Sequence, residues 1–278
     1  MGAIYHHWCR QSKPLGGLLL LLMTWSSFSQ AQVAAPADDR LQRIEASGEL
    51  RVCIWPGYFA ISYSNPKSGR LEGIDIDLSA ELARELGVEL RYVNTHFGRF
   101  IDDIEADACD IAMFGVGRTE ARMQRIDFSA PYLASGMYGL TTKTHGSIDS
   151  WEAMDQADHV VCVQRGTYME AEMRRRLKHA QLSVVDKPYE REAEVQSGRA
   201  DVFITDYPYG QKMLKNFDWA RLLTPKQAAG EKFQYAYAVA KGQPQWLARI
   251  DQFVAAIKRD GRLKRYADLH GLGPIVID

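Results

Sequence analysis

Two successive series of short apolar segments, separated by amphipathic segments, most constrain the fold of this 278-residue chain. In the first series the predicted strands and helices alternate in the order 50–55, 73–86, 88–93, 96–105 and 110–115. In the second series the order is 160–164, 168–178, 182–185, 188–198, 200–205 and 208–216. A strand, a helix and a second strand in succession form a crossover unit of a parallel sheet. We therefore predict an α/β fold in which one parallel-sheet unit follows another.

The first 31 residues have the organisation of a secretory signal. Arg10 and Lys13 precede an apolar run over 15–24, and the small residues of 29–31 form a cleavage site. The apolar run is about ten residues long, whereas a membrane-spanning helix needs about 20. We expect residues 1–31 to be removed on export and the mature chain not to insert into a membrane.

Composition and charge exclude several functional classes. The chain is 46% apolar and 25% charged, as in an ordinary soluble protein. Two of its 34 basic residues lie within 1–31, so 32 remain against 35 acidic residues, a net charge of −3. This balance gives no sign of nucleic-acid binding. No phosphate-binding loop or metalloprotease motif is present, and we expect no cofactor or metal.

Three cysteines remain after the signal segment, Cys53, Cys109 and Cys162. None has a second cysteine at the spacing of a zinc or redox motif. They are interpreted as small buried apolar residues, and an oxidising compartment would allow one disulfide among them. The spacing alone does not say which two would pair.

The stretch GVGRTEARMQRIDFSAPY, from Gly115 to Tyr132, follows a predicted buried strand. Its glycines fall at the carboxyl end of a parallel strand, where α/β folds bind ligands. Arg122 lies in this stretch, and a guanidinium can donate two parallel hydrogen bonds to one carboxylate. The alternative is a solvated basic helix face, which any such run of arginines can form.

Thr119, Arg122 and the phrase DFSAPY at 127–132 resemble the signature of the family 3 periplasmic solute-binding proteins, the amino-acid receptors of ABC importers. The resemblance extends from about residue 40 to residue 272. It implies a type II periplasmic-binding-protein fold of two α/β lobes, with hinge strands near 137–144 and 234–241. The implied organisation is a linker and short helix at 32–47, a first lobe at 48–141 and 240–278, and a second lobe at 142–239. It also implies a monomeric periplasmic protein that serves an ABC permease of the inner membrane.

The resemblance assigns both ends of an amino-acid ligand. The family's arginine at the position of Arg122 binds the α-carboxylate, and its aspartate at the position of Asp206 binds the ammonium. Asp206 also precedes Tyr207-Pro208, which is typical of a helix N-cap, and both roles are compatible. Thr167 follows a glycine after a predicted strand, where a helix N-terminus would contact a carboxylate. A plain strand-to-helix turn is the alternative there.

Further binding candidates are Tyr58, Phe97, Gly115, Gly117, Thr119 and Trp55. Tyr58 and Phe97 correspond to aromatic residues that line the family's side-chain pocket, although core packing is the usual role of a phenylalanine. Gly117 stands where family members offer a threonine hydroxyl, and Trp55 stands where some receptors for polar amino acids have an acidic residue. We expect a less polar pocket, and the identity of the ligand stays open.

Two other functions fit the same scaffold. The opening phrase at 40–52 is similar to that of the periplasmic cyclohexadienyl dehydratases, which act on prephenate or arogenate. That branch has a lysine and a glutamate where this chain has Met137 and Tyr209, and neither can act as an acid near neutral pH. We therefore predict that the protein is not an enzyme. The remaining alternative is an accessory or sensory binding protein.

Overall fold

The computed structural model describes residues 39–187, 189–223 and 232–278. The predicted signal segment at 1–31 and most of the predicted linker lie outside these residues. Removal of the signal therefore stays a prediction. None of the helices in the described ranges has the length and apolar character needed to cross a bilayer.

Short strands and helices alternate along the described residues. The strands are β1 (Glu49–Ile54), β2 (Gly57–Tyr58), β3 (Ser62–Ser64), β4 (Leu71–Glu72), β5 (Glu89–Asn94), β6 (Ile111–Ala112), β7 (Ile126–Phe128), β8 (Leu133–Ser135), β9 (Tyr138–Thr142), β10 (Val160–Gln164), β11 (Gln181–Val185), β12 (Val202–Thr205), β13 (Ala220–Leu223), β14 (Phe233–Tyr235) and β15 (Ala238–Ala240). The helices are α1 (Arg40–Ser47), α2 (Ile74–Leu86), α3 (Phe100–Glu105), α4 (Glu120–Met123), α5 (Trp151–Met154), α6 (Tyr168–Arg176), α7 (Glu190–Gln196), α8 (Tyr207–Asn216), α9 (Pro244–Arg259), α10 (Arg262–Leu269) and the 3-10 helix α11 (Gly273–Ile275).

The first lobe is built on a sheet with the strand order β5-β1-β6-β15-β7. β1 pairs in parallel with β5 and β6, whereas β15 runs antiparallel to both of its neighbours. Leu50, Val52 and Ile54 of β1 have no exposed surface, because helices and loops cover the sheet. β5, β1 and β6 lie side by side in parallel, which is the arrangement that the predicted strand-helix-strand units of the first series produce.

The second lobe is built on a sheet with the order β11-β10-β12-β9-β13. β10 pairs in parallel with β11 and β12, and β9 pairs antiparallel with β12 and β13. Cys162 is buried in β10 and has a free thiol. With both lobes in place, the predicted fold class of two mostly parallel sheets flanked by helices is confirmed.

The chain passes between the lobes at two adjacent places. β8 and β14 pair antiparallel, with Ser135 opposite Phe233 and Leu133 opposite Tyr235. β9, which follows β8, lies in the second sheet, and β15, which follows β14, lies in the first sheet. Two neighbouring crossings of this kind are typical of a hinge.

Charged and covalent contacts fix the amino-terminal helix and the strand ends of the first lobe. Arg40 of α1 is buried and donates a hydrogen bond to Asp110 at 2.8 Å. Arg51 of β1 donates to the same carboxylate at 2.7 Å, so each buried charge has a partner. Cys53 and Cys109 form a disulfide between β1 and the segment that precedes β6.

Two elements near the lobe interface are shorter than predicted. The helix predicted from residue 96 begins at Phe100, because residues 96–99 form a turn in which Arg99 N–H donates to the carbonyl of His96. The strand predicted to reach Gly115 ends at Ala112, and Gly115 has a φ of 63°, a conformation outside the extended region. The short elements α4, β7, α5 and β13 were not predicted.

Candidate functional site

A cavity lies between the two lobes, at the carboxyl ends of β6, β10 and β12. Its wall is formed by Tyr58, Phe97, Gly115, Gly117, Arg122, Gln164, Thr167, Tyr168, Met169, Arg191, Thr205, Asp206, Tyr209, Phe233 and Tyr235. Both lobes and the crossing strand β14 therefore contribute to it. Seven of the nine predicted binding residues lie on this wall, and their role in binding remains a prediction.

Arg122 is the buried cation of the first lobe. The hydroxyl of Thr119 accepts a hydrogen bond from Arg122 N–H at 3.2 Å and so caps the short helix α4. The guanidinium donates to the carbonyl of Gly117 in its own lobe and to that of Gly166 in the second lobe. Burial lowers the pKa of Arg122 to about 10, so it stays charged at neutral pH. Among the described residues, no carboxylate lies within 4 Å of this guanidinium.

Asp206 is the buried carboxylate of the second lobe. It follows β12 and caps α8 by accepting from Tyr209 N–H at 3.2 Å, so the N-cap role considered from the sequence is observed. It also accepts a hydrogen bond from the hydroxyl of Tyr58, across the cavity, and from that of Tyr235 at 2.7 Å. The carboxylate of one lobe is thus bonded to a phenol of the other.

The turn that follows β10 brings the lobes into backbone contact. Gly166 has a φ of 74°, and a Cβ at this position would lie 2.6 Å from the backbone nitrogen of Gly98. Thr167 caps α6 by accepting from Glu170 N–H at 3.4 Å and donates to the carbonyl of Gln164 at 2.7 Å. The plain strand-to-helix turn is therefore observed at Thr167, on the wall of the cavity.

Asp75, in the first turn of α2, holds the strand end beneath the cavity. It accepts from Gly115 N–H at 2.8 Å, from the hydroxyl of Tyr132 at 2.7 Å and from that of Tyr237 at 3.3 Å. Burial raises the pKa of Asp75 to about 7, although these hydrogen bonds oppose the change. A methyl group on Gly115 would meet the Tyr58 ring at 3.0 Å. Asp75 therefore positions the wall without facing the cavity.

Two predicted binding residues, Thr119 and Trp55, lie behind the wall. The Thr119 hydroxyl is engaged as the cap of α4. Trp55 packs its ring 5.5 Å from that of Tyr58 and 5.4 Å from that of Phe97. Neither residue lines the cavity, and a role of either in binding remains a prediction.

Gly117 lies beside a pair of stacked aromatic rings. The rings of Tyr168 and Phe233 are 4.3 Å apart with an interplanar angle of 15°. A Cβ on Gly117 would lie 3.4 Å from Phe233 and 3.5 Å from both Tyr168 and Arg122. A Cβ at this position would therefore be in ordinary van der Waals contact with residues of the cavity wall.

The sequence analysis missed one charged residue of the wall, Arg191. It lies on α7, is 5% exposed, and donates to the carbonyl of Ile204 at 3.1 Å. Arg191 lies four residues before the buried Val195, so both residues are on the inward face of the helix. A charged residue on that face was the feature of the sequence that could have identified Arg191 as a candidate. Gly117 and Trp55 had led us to expect a less polar pocket. Arg191 and Gln164 make the wall more polar than that expectation.

Met137 and Tyr209 stand at the two positions where the dehydratases have a lysine and a glutamate, and neither side chain can donate a proton readily near neutral pH. Met137 is buried between β8 and β9, and Tyr209 donates its hydroxyl to Glu192. Burial raises the pKa of Tyr209, so the phenol stays protonated. Behind Tyr209, Lys212 lies 4.7 Å from the centre of its ring, and burial lowers the pKa of this lysine to about 8. The sequence analysis had not singled out Glu192 or Lys212.

The comparisons with known proteins point to one family. The model of the bacterial extracellular solute-binding proteins, family 3, matches residues 50–271. The chain is 32% identical over 190 residues to the cyclohexadienyl dehydratase of Pseudomonas aeruginosa, covering 68% of this chain and 69% of that protein. It is 24% identical over 232 residues to the L-cystine-binding protein TcyJ of Escherichia coli, covering 82% and 84%. A crystal structure of the ancestral amino acid-binding protein AncCDT-1, described as a precursor of cyclohexadienyl dehydratase, superposes with a TM-score of 0.76 at 30% identity, over 82% of this chain and 98% of that chain.

Proposed function

Because this chain belongs to the bacterial extracellular solute-binding proteins of family 3, we propose that it captures an amino acid or a related small carboxylate between its lobes. The observation that carries the proposal is the placement of Arg122 and Asp206 on opposite lobes, facing one cavity. A zwitterionic headgroup needs both charges paired, because an unpaired charge away from water costs several kcal/mol.

Ligand binding would replace contacts that the lobes now make with each other. Arg122 would exchange backbone carbonyls for the ligand carboxylate, and Asp206 would exchange tyrosine hydroxyls for the ligand ammonium. Each exchange would pair two opposite charges, whereas each present contact joins one charge to a neutral group. The ligand therefore favours the closed arrangement by its extra affinity for it, as a population shift requires.

The partner and the location follow from the same proposal. The protein would act as a monomer in the periplasm, after loss of residues 1–31, and would deliver its ligand to an ABC permease of the inner membrane. The putative amino-acid ABC transporter-binding protein PatH of Vibrio harveyi, a relative of this chain, supports an ABC importer as the partner. The proposal requires neither a cofactor nor covalent chemistry.

A thermal-shift screen of the protein purified from the full-length gene product tests the proposal. The panel contains the common amino acids, small carboxylates and amines. A ligand at about 100 times its Kd should stabilise the fold by roughly 2.7 kcal/mol, which appears as a rise of several degrees in Tm. If amines alone raise Tm and no carboxylate does, the proposed function fails.

One observation supports a second candidate, a dehydratase that acts on prephenate or arogenate. Glu192 and Lys212 are both buried next to Tyr209, so titratable groups lie just behind the cavity wall. A proton donor for a leaving hydroxyl needs such a group. Incubation with prephenate or arogenate, followed by assay for phenylpyruvate or phenylalanine, decides between the candidates. We expect the uncatalysed rate, and turnover at an ordinary enzymatic rate would establish the dehydratase instead.

A further inference from the structure

The cavity wall carries one more cation than an amino-acid headgroup needs. Its charged residues in the described part of the chain are Arg122, Arg191 and Asp206. An ordinary α-amino acid brings one carboxylate and one ammonium, which pair with Arg122 and Asp206. Its net charge is zero, so a net positive charge would remain enclosed with it, on Arg191.

Arg191 is slightly more buried than Arg122, with 5% of its surface exposed against 8%. Its hydrogen bond to the carbonyl of Ile204 uses one of five guanidinium N–H donors. The guanidinium also lies 5.1 Å from the centre of the Phe203 ring and 4.7 Å from that of Tyr209. Among the described residues, no carboxylate is within 4 Å of it. Rings and one carbonyl compensate a buried cation less well than a carboxylate does.

Arg191 stands close to the place where the ligand ammonium would bind. It bonds to Ile204, two residues before Asp206 on the same strand end, and stacks on Tyr209, which Asp206 caps. Burial raises the pKa of Tyr58 well above its usual value, and the charge of Arg191 opposes that rise. The hydroxyl of Tyr58 donates to Asp206, so a charge that acts on Tyr58 also lies near Asp206. Arg191 is therefore at the end of the cavity where Asp206 would bind the ligand ammonium.

Two further charges near this end, those of Lys212 and Glu192, offset each other. Lys212 and Glu192 both lie behind Tyr209, and the charge of Glu192 raises the pKa of Lys212 against the larger effect of burial. One cation and one anion leave the excess charge of the wall unchanged. Arg191 therefore remains the cation of the wall that the headgroup of an ordinary amino acid would leave without a carboxylate.

We propose that the natural ligand is an α-amino acid whose side chain ends in a second carboxylate, and that Arg191 binds that carboxylate. This inference rests on the proposed function and narrows it to one class of substrate. Such a ligand carries two negative charges and one positive charge, the complement of Arg122, Arg191 and Asp206. The aromatic wall would enclose the methylene carbons between the ligand's two ends.

A purely structural role for Arg191 makes a different prediction. If the guanidinium serves only to bond Ile204 and pack between two rings, its replacement lowers stability and affects all ligands alike. If it binds a carboxylate, its replacement acts on acidic ligands selectively. The comparison of an acid with its amide separates these roles, because the two differ in charge and hardly in size.

Isothermal titration calorimetry of the full-length gene product, purified after export, provides the test. The probes are L-glutamate and L-aspartate against L-glutamine and L-asparagine. We expect at least one acid to bind ten times or more tightly than its amide. The Arg191→Met variant should lose at least tenfold in affinity for that acid and change less than threefold for the amide, while Arg191→Lys should keep the preference for the acid.

An amide that binds the wild-type protein as tightly as its acid overturns the inference, as does an equal loss of both ligands in Arg191→Met. If Arg191→Met does not fold, the wild-type ratio and the Arg191→Lys variant still decide. If only other amino acids bind, this inference fails and the proposed function stands. If no amino acid or carboxylate binds at all, the proposed function itself fails.

Discussion

Arg122 of the first lobe donates a hydrogen bond to the backbone carbonyl of Gly166 in the second lobe, over 2.7 Å. The residue predicted to bind the ligand is thereby also a contact between the lobes. The same is true of Asp206, which accepts from Tyr58 of the first lobe. The predicted binding groups are thus also contacts between the lobes, so we expect changes at the lobe interface to act on affinity.

Gly166→Ala should weaken ligand binding by impeding closure. Its Cβ would meet the backbone of Gly98 at 2.6 Å, a clash that exists only when the lobes touch. Gly198→Ala is the matched control, because Gly198 has a φ of 73° and nothing within 4 Å of its Cβ. Both variants should lose about 1 kcal/mol of stability from the positive φ. Calorimetry should show at least a tenfold loss of affinity in Gly166→Ala alone, and equal affinities would contradict this role.

Asp75→Asn should flatten the pH dependence of unfolding. The pKa of Asp75 is about 7 in the folded chain, against 3.8 for an exposed carboxyl, so the folded state holds the proton more tightly. The contribution of this group to stability is full below pH 4 and declines as the pH rises through 7, by roughly 4 kcal/mol in all. Urea unfolding at pH 5 and pH 8 measures it. A wild-type protein that gains stability over this interval relative to Asp75→Asn would contradict the account.

Lys212→Met should remove a rise in stability at alkaline pH. The pKa of Lys212 is about 8 in the folded chain and 10.5 when exposed, so the unfolded chain binds more protons between these values. The wild-type protein should therefore gain roughly 3 kcal/mol relative to Lys212→Met as the pH rises from 7.5 to 10.5. Lys215→Met, on the exposed face of the same helix, is the control. If Lys212→Met and the control follow the same pH profile, the lysine is not held at a lowered pKa.

The sequence predicted most of the alternating strands and helices. It predicted few of the contacts between residues of different lobes. The strand Val160–Gln164 was predicted with its observed bounds, because a run of apolar residues ended by a glycine turn is a local signal. Arg122 and Asp206 were found through a resemblance in their own segments. Gly166 was included only as part of a turn, since its contact with Gly98 joins residues that are far apart in sequence.

Residues whose role depends on a distant partner escaped the sequence analysis. Phe233 stacks on Tyr168 of the second lobe and was given no role from the sequence. Tyr235 donates to Asp206 and was predicted only as part of the hinge strand near 234–241. Trp55 was predicted as a binding residue from its position in the chain, and the contacts of its ring with those of Tyr58 and Phe97 could not be read from the sequence. The direction in which a side chain points from a short loop depends on tertiary packing, which cannot be read from a single sequence.

The most direct test of the central claim compares ligands that differ in one charge. The thermal-shift screen first identifies a ligand. That ligand and an analogue that lacks its amine are then each titrated into the wild-type protein and into the variants named below, and their affinities are measured. Arg122→Met should lose at least 100-fold in affinity for both, because each leaves a carboxylate enclosed without a partner. Asp206→Asn should lose at least tenfold for the amine-bearing ligand alone, and Arg118→Met, an exposed arginine of the same segment, should bind as the wild type does. Unchanged affinity in folded Arg122→Met and Asp206→Asn proteins would contradict the assignment of this cavity as the ligand site.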